Sequence, residues 1–150
     1  MKISTKVECG IIAITDIAMN SQNGETVTVY SISSRRNISG KYLEQILTSL
    51  RQFRLIKGMK GSKGGYVLAK PAEQITFKEI IDALDSSVLN NEISEVNENN
   101  SEMTQLISNL IWDKIEKYVT DFSSSIKLSD MINLYNETVN ESAYDSMYYI

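Results

Sequence analysis

Apolar residues recur at helical spacing along most of this chain and give way to short β-prone runs in one place. The first stripe is Ile3, Val7, Ile11, Ile14 and Ala18, which predicts a helix opened by a capping box of Thr5 and Glu8. The polar run SQNGE, residues 21–25, closes it in a loop. Val29 and Ile32 then predict a short helix ending near Asn37, with Arg35 and Arg36 at its exposed end. Ser39 suits the N-cap of the next helix, because its hydroxyl can accept from a backbone N–H that the first turn leaves unpaired. Leu43, Ile46, Leu47 and Leu50 form the apolar side of that helix. Lys41, Glu44, Gln45 and Thr48 gather opposite, with Arg51 and Gln52 one turn on. Two helices joined by a brief turn predict a helix-turn-helix.

The runs Leu55-Ile56-Lys57 and Tyr66-Val67-Leu68 flank Gly58, Gly61, Gly64 and Gly65, a pattern that predicts a β-hairpin. After Pro71, Thr76 and Glu79 make a capping box with Ile75 and Ile80 as hydrophobic staple, opening a helix that runs to about Leu84. Residues 86–101 keep no sustained period and read as a loop. Met103, Leu106, Ile107, Leu110, Ile111, Ile115, Tyr118, Val119 and Phe122 then mark a helix of about five turns. Ser129 is placed to cap a further short helix holding Met131, Ile132 and Leu134. The expected fold is mainly α with a small β-hairpin wing: a winged helix-turn-helix followed by a long C-terminal dimerisation helix. The expected division is a winged domain over residues 1–85, a loop over 86–101, the dimerisation helix and its short successor over 102–135, and an acidic tail over 136–150.

Charge sharpens this picture. The net charge of −4 argues against a polyanion partner only until the chain is split. Residues 1–70 hold seven Lys and four Arg against four acids, a net of +7, and residues 71–150 hold four Lys against fifteen acids, a net of −11. A basic head suits nucleic acid, while the acidic remainder faces solvent or protein. The single cysteine, Cys9, excludes an internal disulfide, and on an apolar helix it reads as a structural thiol. With no histidine in the chain, the commonest general base and every Ser-His or Cys-His pair are absent, so no enzyme is expected. No apolar run reaches membrane-spanning length and the N-terminus lacks a leader-like core, so no membrane partner and a cytoplasmic location are expected.

The head carries chemistry suited to a duplex. Gln can pair bidentately with adenine and Glu can accept from cytosine N4. Lysines beside glycines allow close approach to a phosphodiester chain with release of counterions. Taken alone, the helix after Ser39 reads rather as an ordinary surface helix with a solvated face, and the hairpin beside it changes that reading. GSKGG could suggest a nucleotide phosphate loop, but no Lys-Ser/Thr pair closes it and a strand follows instead of a helix.

The segments MKISTK, ISGKYLEQIL, KGSKGGYVLAKP and ITFKEIIDAL together resemble the Rrf-two family of bacterial winged helix-turn-helix regulators, closely over residues 1–85 and more loosely beyond. The resemblance implies a homodimer on a palindromic operator. In it Ser39, Lys41, Glu44 and Gln45 read the major groove, with Thr48 a further DNA contact of the same polar face, and Lys60 and Lys63 in the wing hold the adjacent backbone or minor groove. Arg35, Arg36 and Arg51 would contact phosphates, and Leu106, Leu110, Ile111, Ile115 and Tyr118 would form the dimer seam. Members that hold an iron–sulfur cluster do so through cysteines in the loop that corresponds to residues 86–101; here that loop has none, so no metal and no cofactor are expected. The terminal MYYI resembles the end of the family's cluster-free repressor of cysteine metabolism. That likeness implies binding of cysteine synthase by Tyr149 and Ile150, a terminal carboxylate captured beside an apolar side chain. Two alternatives stay open: a regulator gated by a small ligand, and an interaction module whose tail modulates a metabolic enzyme.

Overall fold

The computed structural model describes residues 2–90 and 100–148. Helix α1 (Thr5–Asn20) is capped by Ser4, whose hydroxyl accepts from the Val7 N–H at 3.3 Å. The cap therefore lies one residue ahead of the expected Thr5, since Ser4 keeps the extended backbone an N-cap needs while Thr5 is already helical. Helix α2 (Val29–Arg36) opens on a reciprocal capping box of Thr28 and Ser31 and stops at Asn37, which is left-handed at φ 53°. Helix α3 (Gly40–Gln52) follows after Ile38 and Ser39. These helices pack as a helix-turn-helix on α1, around a core of Val7, Ile14, Ile17, Ile32, Leu43 and Leu47.

Strands β1 (Ile56–Met59) and β2 (Gly65–Leu68) form the hairpin, antiparallel, with Ile56 opposite Leu68 and Met59 opposite Gly65. A third segment joins them, as Val27 and Tyr66 exchange backbone hydrogen bonds at 2.9 and 2.7 Å. The Thr26 hydroxyl donates to the Lys63 carbonyl at 2.7 Å, so the loop before α2 holds the turn end of the wing. This corrects the expected role of one glycine. Gly65 sits at φ +154°, and a Cβ there would lie 2.8 Å from the Val27 carbonyl oxygen. It is spent on close approach of two backbones within the protein, not of backbone to phosphate. Gly65→Ala should cost about 1–3 kcal/mol in thermal unfolding through strain and this clash.

Helix α4 (Phe77–Leu84) carries the expected Thr76–Glu79 capping box, with Ile75 and Ile80 both buried. Residues 101–125 form one continuous helical rod: α5 (Ser101–Ile107), a π turn (Ser108–Trp112) and α6 (Asp113–Ser125). The expected loop over 86–101 lies mostly outside the described residues; its first part is a short 3-10 turn at Ser86–Val88. Helix α7 (Leu128–Tyr148) is 21 residues long, which corrects both the short helix capped by Ser129 and the acidic tail from residue 136. Ser129 is inside the helix, and the Asp130 carboxylate instead accepts from the Lys127 N–H at 2.8 Å. The connector between α6 and α7 pairs with the entry to α4: Phe77 N–H donates to the Ile126 carbonyl and Leu128 N–H to that of Ile75, each at 2.9 Å.

Candidate nucleic-acid interface

The reading helix is held from one side only. Ser39 accepts from the Tyr42 N–H at 3.1 Å, and Leu43, Ile46, Leu47 and Leu50 are completely buried. This fixes the rotation of α3 and leaves Lys41, Glu44, Gln45, Thr48 and Arg51 exposed. The Thr48 hydroxyl donates to the Glu44 carbonyl at 2.7 Å, one helical turn back. The functional groups of Lys41, Glu44 and Gln45 make no bond to another protein group among the described residues, so they remain available to a ligand. Lys41, Glu44, Gln45, Thr48 and Ser49 line a shallow groove of about 480 Å³ together with Lys6 of α1. Lys6 was not legible as a site residue, because only the packing of α1 across α3 brings it there. Tyr30, 82% exposed in the first turn of α2, is a second exposed group that periodicity did not mark.

In the wing, Lys57, Lys60 and Lys63 are exposed, and none forms an ion pair among the described residues. Lys70 differs, bonding Glu79 at 2.6 Å and so tying the end of the wing to α4. Arg35 and Arg36 also differ from expectation. Both donate to Asp16, Arg35 at 2.7 and 3.1 Å and Arg36 at 2.7 Å, and Asp16 has no exposed surface. Two guanidinium groups expected at a free helix end are therefore held by a carboxylate of α1, because α2 packs its C-terminal turn against that helix. Burial alone pushes the Asp16 carboxyl up, but the hydrogen bonds and charges of both arginines outweigh it and hold it below the usual carboxylate range.

The rod presents an apolar face that no described residue covers. Met103, Leu106, Leu110, Ile111, Ile115, Tyr118 and Phe122 are all exposed, Leu110 at 65% and Tyr118 at 75%. The π turn keeps this face in line. A π turn closes its hydrogen bonds over five residues where an α turn closes them over four, so each turn holds nearly one residue more and Ile111 falls near the side of Leu106, ahead of Ile115, Tyr118 and Phe122. Cys9 is half-buried against the core, less enclosed than the buried thiol expected on this helix. Tyr149 and Ile150, expected to bind a partner enzyme, lie outside the described residues.

This geometry, a capped reading helix beside a basic hairpin with a long helix behind, is that of a winged helix-turn-helix DNA-binding protein. The profile of the Rrf2 family, described as iron-dependent transcriptional regulator, matches residues 3–134. The chain is 33% identical over 135 residues to the HTH-type transcriptional regulator IscR of Cereibacter sphaeroides, covering 88% of this chain and 87% of that one. Among solved structures it is similar to CymR, the global cysteine regulator of B. subtilis, at 30% identity and a TM-score of 0.71, covering 89% of this chain and 98% of that one. It is also similar to T. potens IscR, at 31% identity and a TM-score of 0.70, with 92% and 90% covered. The chain belongs to the Rrf2 family of transcriptional regulators, which are DNA-binding proteins and not enzymes.

The family's description names iron, and the residues present do not fit an iron–sulfur cluster. The sequence has one cysteine and no histidine, whereas such clusters take several thiolates. No group of His, Cys, Asp and Glu side chains able to hold a metal occurs among the described residues. No helix there is long and apolar enough to cross a membrane.

Proposed function

We propose that the protein is a sequence-specific regulator that binds a palindromic operator as a homodimer and acts without an iron–sulfur cluster. The observation that carries this is the split of α3: one side fully buried, the other presenting Lys41, Glu44 and Gln45 with no partner among the described residues. Gln45 and Glu44 supply base contacts with Lys41, Thr48 and the Ser39-capped helix start, and Lys60, Lys63 and Arg51 supply phosphate contacts. Arg35 and Arg36 are each bonded to Asp16, and their cluster still offers one unit of positive charge to the phosphate backbone. The uncovered face of the rod supports dimerisation, since a contiguous apolar strip of this kind is a protein-contact surface. Likeness to CymR and the missing cluster ligands favour repression of cysteine-metabolism genes, with Tyr149 and Ile150 as the contact for cysteine synthase.

Selection of duplexes from a random pool by the full-length protein at physiological salt tests this reading. The expected result is a two-fold symmetric motif with half-sites about 10–10.5 base pairs apart or a multiple of that. Enrichment of no motif would move the interaction-module alternative to first place. On the selected duplex, Gln45→Ala should lose about 1–3 kcal/mol and relax preference at one position. Lys63→Ala should weaken all duplexes alike and lower the salt slope by about one. Equal effects of both substitutions on selected and random duplexes would refute the division of roles.

A further inference from the structure

The Asp16 cluster reaches α7 as well as α2. Two guanidinium groups meet one carboxylate, so the cluster carries one uncompensated positive charge. Arg36 donates through Nε to Asp16 at 2.7 Å and through Nη1 to the Tyr135 hydroxyl of α7 at 3.3 Å, with its guanidinium carbon 5.5 Å from the Tyr135 ring centre. Its Nη2 has no acceptor among the described residues. Beside it a crevice of about 200 Å³ opens between α1 and α7, walled by Ile11, Ile12, Met19 and Met131. The one hydroxyl on the α1 wall, that of Thr15, is spent on the Ile11 carbonyl at 2.7 Å. A larger apolar cleft of about 480 Å³ between α1, α4 and α6 is rimmed by Tyr118 and Phe122 of the exposed strip, and so continues the proposed dimer face.

An excess cation at the edge of apolar walls selects its own complement. Charge beside apolar surface is costly until an opposite charge neutralises it, and the excess here is a single unit. An apolar cavity of about 150 Å³ accepts benzene, so this crevice has room for one small ring or branched chain. We propose that the crevice binds a small monocarboxylate with an aromatic or branched aliphatic body, its carboxylate taken by Arg36. Arg36 stands three positions before Ser39, the cap of α3, with the left-handed Asn37 between them. A carboxylate that draws Arg36 away from Tyr135 therefore acts on the turn that aims the reading helix and lowers operator affinity. That consequence rests on the DNA-regulator reading; the site itself does not.

Calorimetric titration of the full-length protein with phenylacetate and 4-methylpentanoate, against their neutral amides, tests the site. The carboxylates should bind at one per chain and the amides about tenfold more weakly, the difference between a charged and a neutral acceptor on Arg36. Thr15→Leu fills the crevice without touching the ion cluster and should abolish binding while the melting temperature is retained. Arg36→Gln should bring carboxylates down to the level of the amides. No binding to the native protein, equal binding of acid and amide, or undiminished binding by Thr15→Leu would overturn the proposal. Binding with unchanged affinity for the selected duplex would overturn the coupling. A protein that binds the acid yet selects no duplex would refute the regulator reading and leave the site standing.

Discussion

Asp16→Ala should lower the unfolding free energy by about 2–4 kcal/mol, measured by urea unfolding at neutral pH. Removing one member of a buried charge cluster costs about 3–5 kcal/mol when the orphaned charge stays buried. Here both orphans keep some access to water, Arg35 at 39% and Arg36 at 22% side-chain exposure, which brings the expectation down. The stability difference should also follow pH with a definite sign. The folded Asp16 carboxyl sits below its ordinary value, so its contribution is complete above the unfolded carboxylate range near about 3.9 and is lost as pH falls through the folded value. The gap between native protein and Asp16→Ala should stay flat from neutral pH to about 4 and close only below that. A gap that closes between pH 5 and 7 would mean that another group, not Asp16, carries the effect.

Leu110→Glu should split the proposed dimer and weaken binding to the selected duplex by about 10²–10⁴-fold, because two linked half-site contacts become independent ones. Leu110 is 65% exposed in the single chain, and neither core nor hydrogen bond depends on it, so the monomer should keep its helical signal and its melting transition should become independent of concentration. Sedimentation reads the assembly and fluorescence anisotropy reads the DNA affinity. An unchanged dimer would remove the rod as the seam, and monomers with full affinity would remove the two-fold operator.

The elements that periodicity and capping chemistry specify locally were readable from the chain. The Ser39 cap, the buried quartet of α3, the hairpin and the Thr76–Glu79 box each follow from residues within a few positions of one another. What escaped was decided at long range. Asp16 meets Arg35 and Arg36 only through the packing of α2 on α1, across about twenty positions of sequence. Lys6 joins the reading groove across two helices, and Gly65 serves a backbone more than thirty residues away. The π turn was hidden for another reason: an apolar stripe wide enough to include both Leu110 and Ile111 fits an α-helix as well. The length of α7 does not follow from periodicity, because no residue of its second half is buried and polar and apolar positions there keep no stripe.

The paired backbones at Ile75–Phe77 and 126–128 turn the chain from residue 75 to 128 into a closed circuit. Leu128, wholly buried, is the rivet of that closure. The rod is therefore pinned at its far end to the same few residues that receive the chain from the wing, and α7 starts from the pin. The far end of the rod and the junction between wing and α4 thus share one set of backbone hydrogen bonds. For the same reason a fragment ending at residue 85 would leave the socket of Leu128 empty.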